Sequence, residues 1–244
     1  MQDKIVKKIA LITGSSTRIG KEIALFLSKN NWQVVIHYNN STVEAHELCK
    51  SINQINGKSI CVHSDFNNLK NGDEIFAEIN KKIGLVSLLI NNAATFENDN
   101  FFEVSNLSLS KHMQINCIAP ILLAKSFVKQ NPYEKLNIIN LLDCSTTKIK
   151  DDFFSYGLSK MTLLNATKKM AVLLAPRCRV NAISPGHVLK NDKQSEEHFT
   201  KMVQNTPLKM ANNIEQICNS IEFIIKTDSM TGNNIIIDSG DHLT

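Results

Sequence analysis

Tyr156 and Lys160 are four residues apart, in Tyr156-Gly157-Leu158-Ser159-Lys160. On a helix this spacing puts a phenol and an ammonium on one face. A phenol with its free pKa of about 10 is a poor acid–base catalyst at neutral pH, and a nearby ammonium lowers that value by stabilising the phenolate. The pair is therefore a candidate proton-transfer device. The spacing also arises by chance where lysine is common. Of the three tyrosines, however, neither Tyr38 nor Tyr133 has a lysine four residues on.

A second stretch suits phosphate. Thr13-Gly14-Ser15-Ser16-Thr17-Arg18-Ile19-Gly20 follows an apolar run, Ile9 to Ile12, and opens a helical pattern with Ile19, Ile23, Phe26 and Leu27 on one face. Glycine lets a ligand approach the backbone, and a helix start offers unpaired N–H groups and partial positive charge. Gly14, Ser16, Arg18, Ile19 and Gly20 are the candidate contacts. Arg18 stands where a TGxxxGxG turn has its middle glycine. Its fixed charge and five donors suit the 2′-phosphate of NADP. A solvated helix-start arginine is the plain alternative.

These groups must be placed by the elements around them. Strand patterns fall at Ile9–Thr13, Gln33–Tyr38, Lys58–His63, Val86–Asn91, Leu136–Leu142, Cys178–Ser184 and Asn234–Asp238. Helical patterns fall at Arg18–Asn30, Val43–Asn56, Gly72–Ile83, Leu109–Gln130, Phe154–Ala175 and Glu215–Lys226. Alternating βα units with continuous apolar strands predict a parallel sheet covered on both faces. The expected fold is α/β, a single-domain Rossmann-type doubly wound sheet over residues 1–244 with its ligand at the carboxyl ends of the strands. The 244 residues, 43% of them hydrophobic, suffice for one such domain.

The end of the second strand bears on cofactor choice. A carboxylate there would hold the ribose hydroxyl of NAD and repel a 2′-phosphate. The sequence reads His37-Tyr38-Asn39-Asn40-Ser41, without an acid, so the expectation is NADPH over NADH. Asp65, beside Phe66 after the third strand, is open between an acceptor for adenine and a helix N-cap. Asn91-Asn92-Ala93-Ala94 ends the fourth strand with small residues that let the chain lie against a flat cofactor, or form a simple turn.

The net charge of +4 is spread along the chain, which disfavours a nucleic-acid partner. Six scattered cysteines without metal-ligand spacing read as reduced thiols of a cytoplasmic protein, and no metal is expected. The first residues read directly into a strand pattern, with neither a leader nor a membrane-spanning run expected.

Thr13-Gly14…Gly20, Asp65, Asn91-Asn92-Ala93, Asn116, Tyr156…Lys160 and Pro185-Gly186 together resemble the short-chain dehydrogenase/reductase family, over nearly the whole chain. The resemblance implies Tyr156 as proton donor, Lys160 lowering its pKa and holding the nicotinamide ribose, and Asn116 supporting a proton-relay water. It implies cofactor contacts at Pro185 and Gly186. It also implies a homo-oligomer, dimer or tetramer, through the helices near Leu109–Gln130 and Phe154–Ala175. Most members carry a serine thirteen residues before the tyrosine, and this chain has Asp143 there. A carboxylate suits a nitrogen heterocycle with ring N–H donors better than a developing alkoxide. Asp143, Arg18, the His37-Tyr38…Ser41 turn and Phe96 are similar to the pteridine reductases and dihydromonapterin reductases. That subgroup implies a pterin stacked on Phe96 and held by Asp143, Arg18 and Tyr156. Ala94 departs from the serine frequent there. His187 either touches substrate or sits in a lid near 187–209, the second reading being preferred. The expectation is NADPH-dependent reduction of a dihydropterin C=N bond. A 3-oxoacyl-thioester reductase and a catalytically weak NADP-binding sensor are the alternatives.

Overall fold

The computed structural model describes residues 8–55, 57–132, 135–148, 152–190 and 194–244. Seven strands form one sheet: β1 (Ile9–Ile12), β2 (Gln33–Tyr38), β3 (Ser59–His63), β4 (Leu88–Asn91), β5 (Leu136–Leu141), β6 (Cys178–Pro185) and β7 (Asn234–Ile237). All pairs are parallel, in the order β3-β2-β1-β4-β5-β6-β7. The helices are α1 (Arg18–Lys29), α2 (Thr42–Gln54), α3 (Asp73–Lys82), α4 (Asn106–Met113), α5 (Ala119–Lys129), α6 (Phe154–Leu174), α7 (Glu196–Gln204) and α8 (Ile214–Lys226).

Each residue of β1 is buried, because the sheet is covered on both sides. Ile9 and Leu11 join Phe76, Phe127 and Val180 in one cluster, and Ala10 and Ile12 join Ile23, Leu48 and Ile221 in the other. The alternation of a strand thus serves two cores. Strand order reverses at β1, which lies between β2 and β4. The crevice beyond their carboxyl ends is where a doubly wound sheet receives its ligand.

Two stretches differ from the sequence expectation. Leu109–Gln130 is not one helix: α4 starts at Asn106, and Gln114–Ile118 form a π-helical turn before α5. Pro120 is the physical reason. It has no N–H to give the carbonyl of Asn116, and its ring crowds that carbonyl, so the ladder widens there. The second is the expected lid near 187–209, which contains α7. Phe199 and Met202 of α7 face the cleft and Val203 is buried. Residues 191–193 of the expected lid and Asn56 of the second expected helix lie outside the described residues.

Candidate active site

The carboxyl ends of the strands open into a cleft of ≈ 1750 Å³. That is room for a dinucleotide and a second ring compound. Its phosphate end is the glycine turn. Gly14 sits at φ +59°, and a Cβ there would lie 2.9 Å from Ala93 Cα. At Gly20 a Cβ would stand 2.5 Å from the Gly14 carbonyl oxygen. The sequence therefore uses glycine where turn and β4 end must nearly touch. Asn92 joins the two, its side chain donating to the Thr13 and Gly14 carbonyls at 2.8 and 2.9 Å. The Asn92 and Ala93 N–H groups both reach Thr13 Oγ1.

His37 braces this turn. The Gly14 N–H donates to His37 Nδ1 at 3.0 Å, and Nε2 lies 3.1 Å from the Ser64 carbonyl. Nδ1 is thus the acceptor, and Nε2 carries the proton. The ring is buried and stacks on Phe66, centroids 4.2 Å apart. Burial depresses its pKa to about 4, so it is neutral. Both ring nitrogens of this expected cofactor contact are spent inside the protein. Asp65 likewise adopts the N-cap alternative. It accepts from Asn67 N at 3.0 Å, from Asn68 Nδ2 at 2.8 Å and from Asn39 Nδ2 at 3.3 Å. Asn40 and Ser41 line the cleft beside Tyr38, with no acidic residue between positions 38 and 41.

Arg18 also lines the cleft, at φ +53°, a conformation that the glycine of the common pattern adopts without strain. Its guanidinium reaches across to the segment after β6, donating to the Lys190 carbonyl at 3.0 Å and the Leu189 carbonyl at 3.3 Å. The cation ties the glycine turn to the first residues of the expected lid. Ser16, Ile19, Ala94, Pro185 and Gly186 also line the cleft.

At the other end stand Asp143, Tyr156 and Lys160. Asp143 caps the short turn Cys144–Thr146: Oδ1 accepts from Ser145 N at 2.8 Å. This leaves Oδ2 to accept from the Tyr156 hydroxyl at 3.2 Å. Lys160 donates to the Leu141 carbonyl at 2.8 Å, with its Nζ 5.7 Å from the centre of the Tyr156 ring. The sequence reading expected a lowered phenol pKa. The direction is the reverse: burial first, then the Asp143 charge and its hydrogen bond, raise it well above 10. Burial lowers Lys160 to about 8, against the opposing pull of Asp143. Tyr156 is therefore held as a neutral phenol pointing at a carboxylate, with the ammonium turned to the backbone.

Asn116 does not line the cleft. Its side-chain Oδ1 accepts from Thr95 N at 2.8 Å, and Nδ2 donates to the Thr95 carbonyl and Ser159 Oγ, each at 3.0 Å. Its side chain fixes the segment carrying Phe96 to α6. Phe96 is half exposed in the cleft, edge-on to Tyr156 at 4.7 Å. One face stacks on Phe153 at 4.3 Å with an interplanar angle of 6°. His187 forms cleft wall opposite α7, its ring 6.5 Å from Phe199 and its Nε2 3.7 Å from Asp241 Oδ2.

Several contributors were missed in the sequence. Phe153 lies three residues before Tyr156, one helical turn, and that spacing was the available signal. Phe153 takes the N-cap position of α6 at φ +53° and offers no side-chain cap. Asp99, far off in sequence, replaces one. Its carboxylate accepts from Ser155 N at 2.9 Å, Ser155 Oγ at 2.5 Å and Ser108 Oγ, while Asn98 Oδ1 accepts from Phe153 N at 3.1 Å. Burial opposes ionisation of Asp99, but these donors prevail and lower its pKa. No local pattern marks such a remote cap.

Fold and site together define a nucleotide-dependent oxidoreductase of the doubly wound class. A family model described as enoyl-(acyl carrier protein) reductase matches residues 14–242, and the chain belongs to the short-chain dehydrogenase/reductase family. Within it the similarity runs to pteridine reductase-like members. A dihydromonapterin reductase of Citrobacter koseri is 26% identical over 238 residues, covering 96% of each chain. FolM alternative dihydrofolate reductase 1 of Brucella canis, solved with NADP, is 32% identical with a TM-score of 0.93, over 97% of this chain and 94% of that one. Its counterpart from Brucella suis, also an NADP complex, is 33% identical with a TM-score of 0.93, over 96% and 95%. Among the described residues no helix is long and apolar enough to cross a membrane, and no three His, Cys, Asp or Glu side chains are grouped to hold a metal.

Proposed function

We propose that the protein is an NADPH-dependent reductase of a dihydropterin. The observation that carries this reading is the Asp143 carboxylate in the place of the usual serine, accepting from Tyr156 at 3.2 Å beside the Phe96 ring. The residues present fit the cofactor. The glycine cradle would hold the diphosphate, Asn39, Asn40 and Ser41 with the Arg18 charge nearby would take the 2′-phosphate end, and Lys160 with Pro185 and Gly186 would border the nicotinamide end. When bound, NADPH supplies the hydride.

The chain's own residues then have three tasks. The free face of Phe96 offers a flat apolar surface on which a bicyclic ring can stack. Asp143 accepts hydrogen bonds from ring N–H and amino groups, a charge-assisted contact that a ketone cannot make. Tyr156, held neutral, keeps the proton that the reduced nitrogen needs, and Asp143 and the Lys160 ammonium set how readily it leaves. A carbonyl substrate would instead bring a developing oxyanion against the Asp143 charge.

The competing reading is reduction of the carbonyl of a 3-oxoacyl thioester. Exchange of Asp143 for serine separates the two. Loss of pterin turnover supports the proposal, and unchanged pterin turnover in both Asp143→Ser and Tyr156→Phe would end it. We also propose a dimer or tetramer. Leu107 of α4 and Val172 and Leu173 of α6 are each more than three-quarters exposed, which supports an apolar contact along these helices.

A further inference from the structure

Cys49 and Cys61 lie away from the cleft and face each other between α2 and the edge strand β3. Ser59 and Cys61, two apart on β3, point to the same side of the sheet. Ser59 Oγ lies 3.1 Å from Cys49 Sγ, and Asn53 Nδ2 lies 3.7 Å from the same sulfur. Cys61 Sγ donates to the Ala45 carbonyl at 3.2 Å, one turn before Cys49 on α2, and its thiol also contacts the Cys49 sulfur. Two donors, the Ser59 hydroxyl and the Asn53 amide, thus reach one sulfur, an arrangement that favours a thiolate.

We propose that Cys49 and Cys61 form a peroxide-reactive dithiol, with Cys49 the attacking sulfur and Cys61 the resolving one. Both are partly exposed, on the edge of the sheet, where a small oxidant has access. The Cys61 contact first, then Ser59, His46 and Asn53, bring the Cys49 thiol down to about 6 against burial, while Cys61 is pushed upward and keeps its proton. Cys49 reacts first as the thiolate; Cys61 is held up chiefly by its contact with that sulfur, so it is released to lose its proton and attack once Cys49 has become a sulfenic acid. The other four cysteines are buried. Burial raises Cys117, takes Cys178 to about 12 and takes Cys218 to about 11, which leaves them poor nucleophiles.

The chemistry balances with hydrogen peroxide as the oxidant. The Cys49 thiolate attacks one peroxide oxygen, the O–O bond breaks, and the departing hydroxide takes a proton to become water. Cys49 is then a sulfenic acid. The Cys61 sulfur attacks the Cys49 sulfur, the S–O bond breaks, and the hydroxyl leaves as water with the Cys61 proton. Two electrons have passed from the sulfurs to the peroxide, giving one disulfide and two waters. The bond ties the third turn of α2 to β3 and leaves the catalytic end untouched.

The test is limited peroxide treatment of the fully reduced protein, followed by peptide mapping. The expected product is a Cys49–Cys61 disulfide with the other four thiols intact. Cys49→Ser should slow thiol loss by roughly tenfold or more. Cys61→Ser should halt at a Cys49 sulfenic acid that dimedone traps. Oxidation spread over the buried cysteines, no disulfide in the wild-type map, or no dimedone adduct in Cys61→Ser would overturn the proposal. The wild-type map decides the matter even if a variant folds poorly.

Discussion

Acidification is expected to loosen the protein through His37 before the bulk of its carboxylates titrate. In the folded state this ring titrates at about 4, against 6.5 for the free side chain. Between those values the unfolded chain binds the proton and the native ring does not. Stability therefore rises with pH through this window, is complete above 6.5, and is lost as pH falls toward 4. One pH unit across the window corresponds to about 1.4 kcal/mol, so this single ring contributes roughly 3 kcal/mol to the acid sensitivity. The structure supplies the cause. A protonated Nδ1 cannot accept the Gly14 N–H, and a charged ring would be sealed against Phe66. Urea unfolding of the wild type and of His37→Gln at a series of pH values tests this. The wild-type profile should fall more steeply below pH 6.5, by about that amount at its lower end. An NMR titration of His37 should give a midpoint near 4. Parallel profiles together with a midpoint near 6.5 would refute the assignment of His37 as a neutral brace.

Other outcomes follow from the same geometry. Asp143→Asn removes the charge facing Tyr156, so the phenol should titrate lower than in the wild type, read by phenolate absorbance, and pterin turnover should fall by about a hundredfold or more. Gly14→Ala puts a Cβ 2.9 Å from Ala93 Cα at a positive φ and should weaken NADPH binding, measured by calorimetry, with a backbone cost of about 1–2 kcal/mol. Asp99→Ala strands the Ser155 N–H and two hydroxyls and should cost about 1–3 kcal/mol in thermal or urea unfolding, with kcat falling as Tyr156 and Phe153 lose their register. Charging the exposed face of α4 and α6, by Leu107→Glu with Val172→Glu, should shift the mass seen by light scattering from oligomer toward monomer.

Much of this molecule is legible in its sequence because its strands are buried on both faces. Continuous apolar runs such as Ile9–Ile12, each followed by a helical period, leave few other arrangements. The glycine turn and the Tyr156–Lys160 pair are also local, and the fold places them in one cleft. What resisted reading depends on contacts between distant residues. His37 and Asp65 carry polar atoms suited to a ligand, yet Gly14, Ser64, Asn39 and the 66–68 turn consume them. The phenol direction was misjudged because the helical spacing of Lys160 says nothing of the burial of Tyr156 or of the Asp143 carboxylate that its hydroxyl meets, and the ammonium itself turns to Leu141. The π-helical turn was hidden by an apolar period that runs unbroken through it, although Pro120 marked the place. α7 escaped because its inward stripe is short and set in a charged run.

The most direct test of the central claim is NADPH oxidation by the purified protein, with a dihydropterin such as dihydrobiopterin or dihydromonapterin in one assay and acetoacetyl thioester in another. Turnover of the pterin, with little or none of the thioester, is the result expected from a carboxylate facing Tyr156 beside Phe96. Turnover of the thioester alone would contradict it and return Asp143 to a structural cap on an ordinary carbonyl reductase.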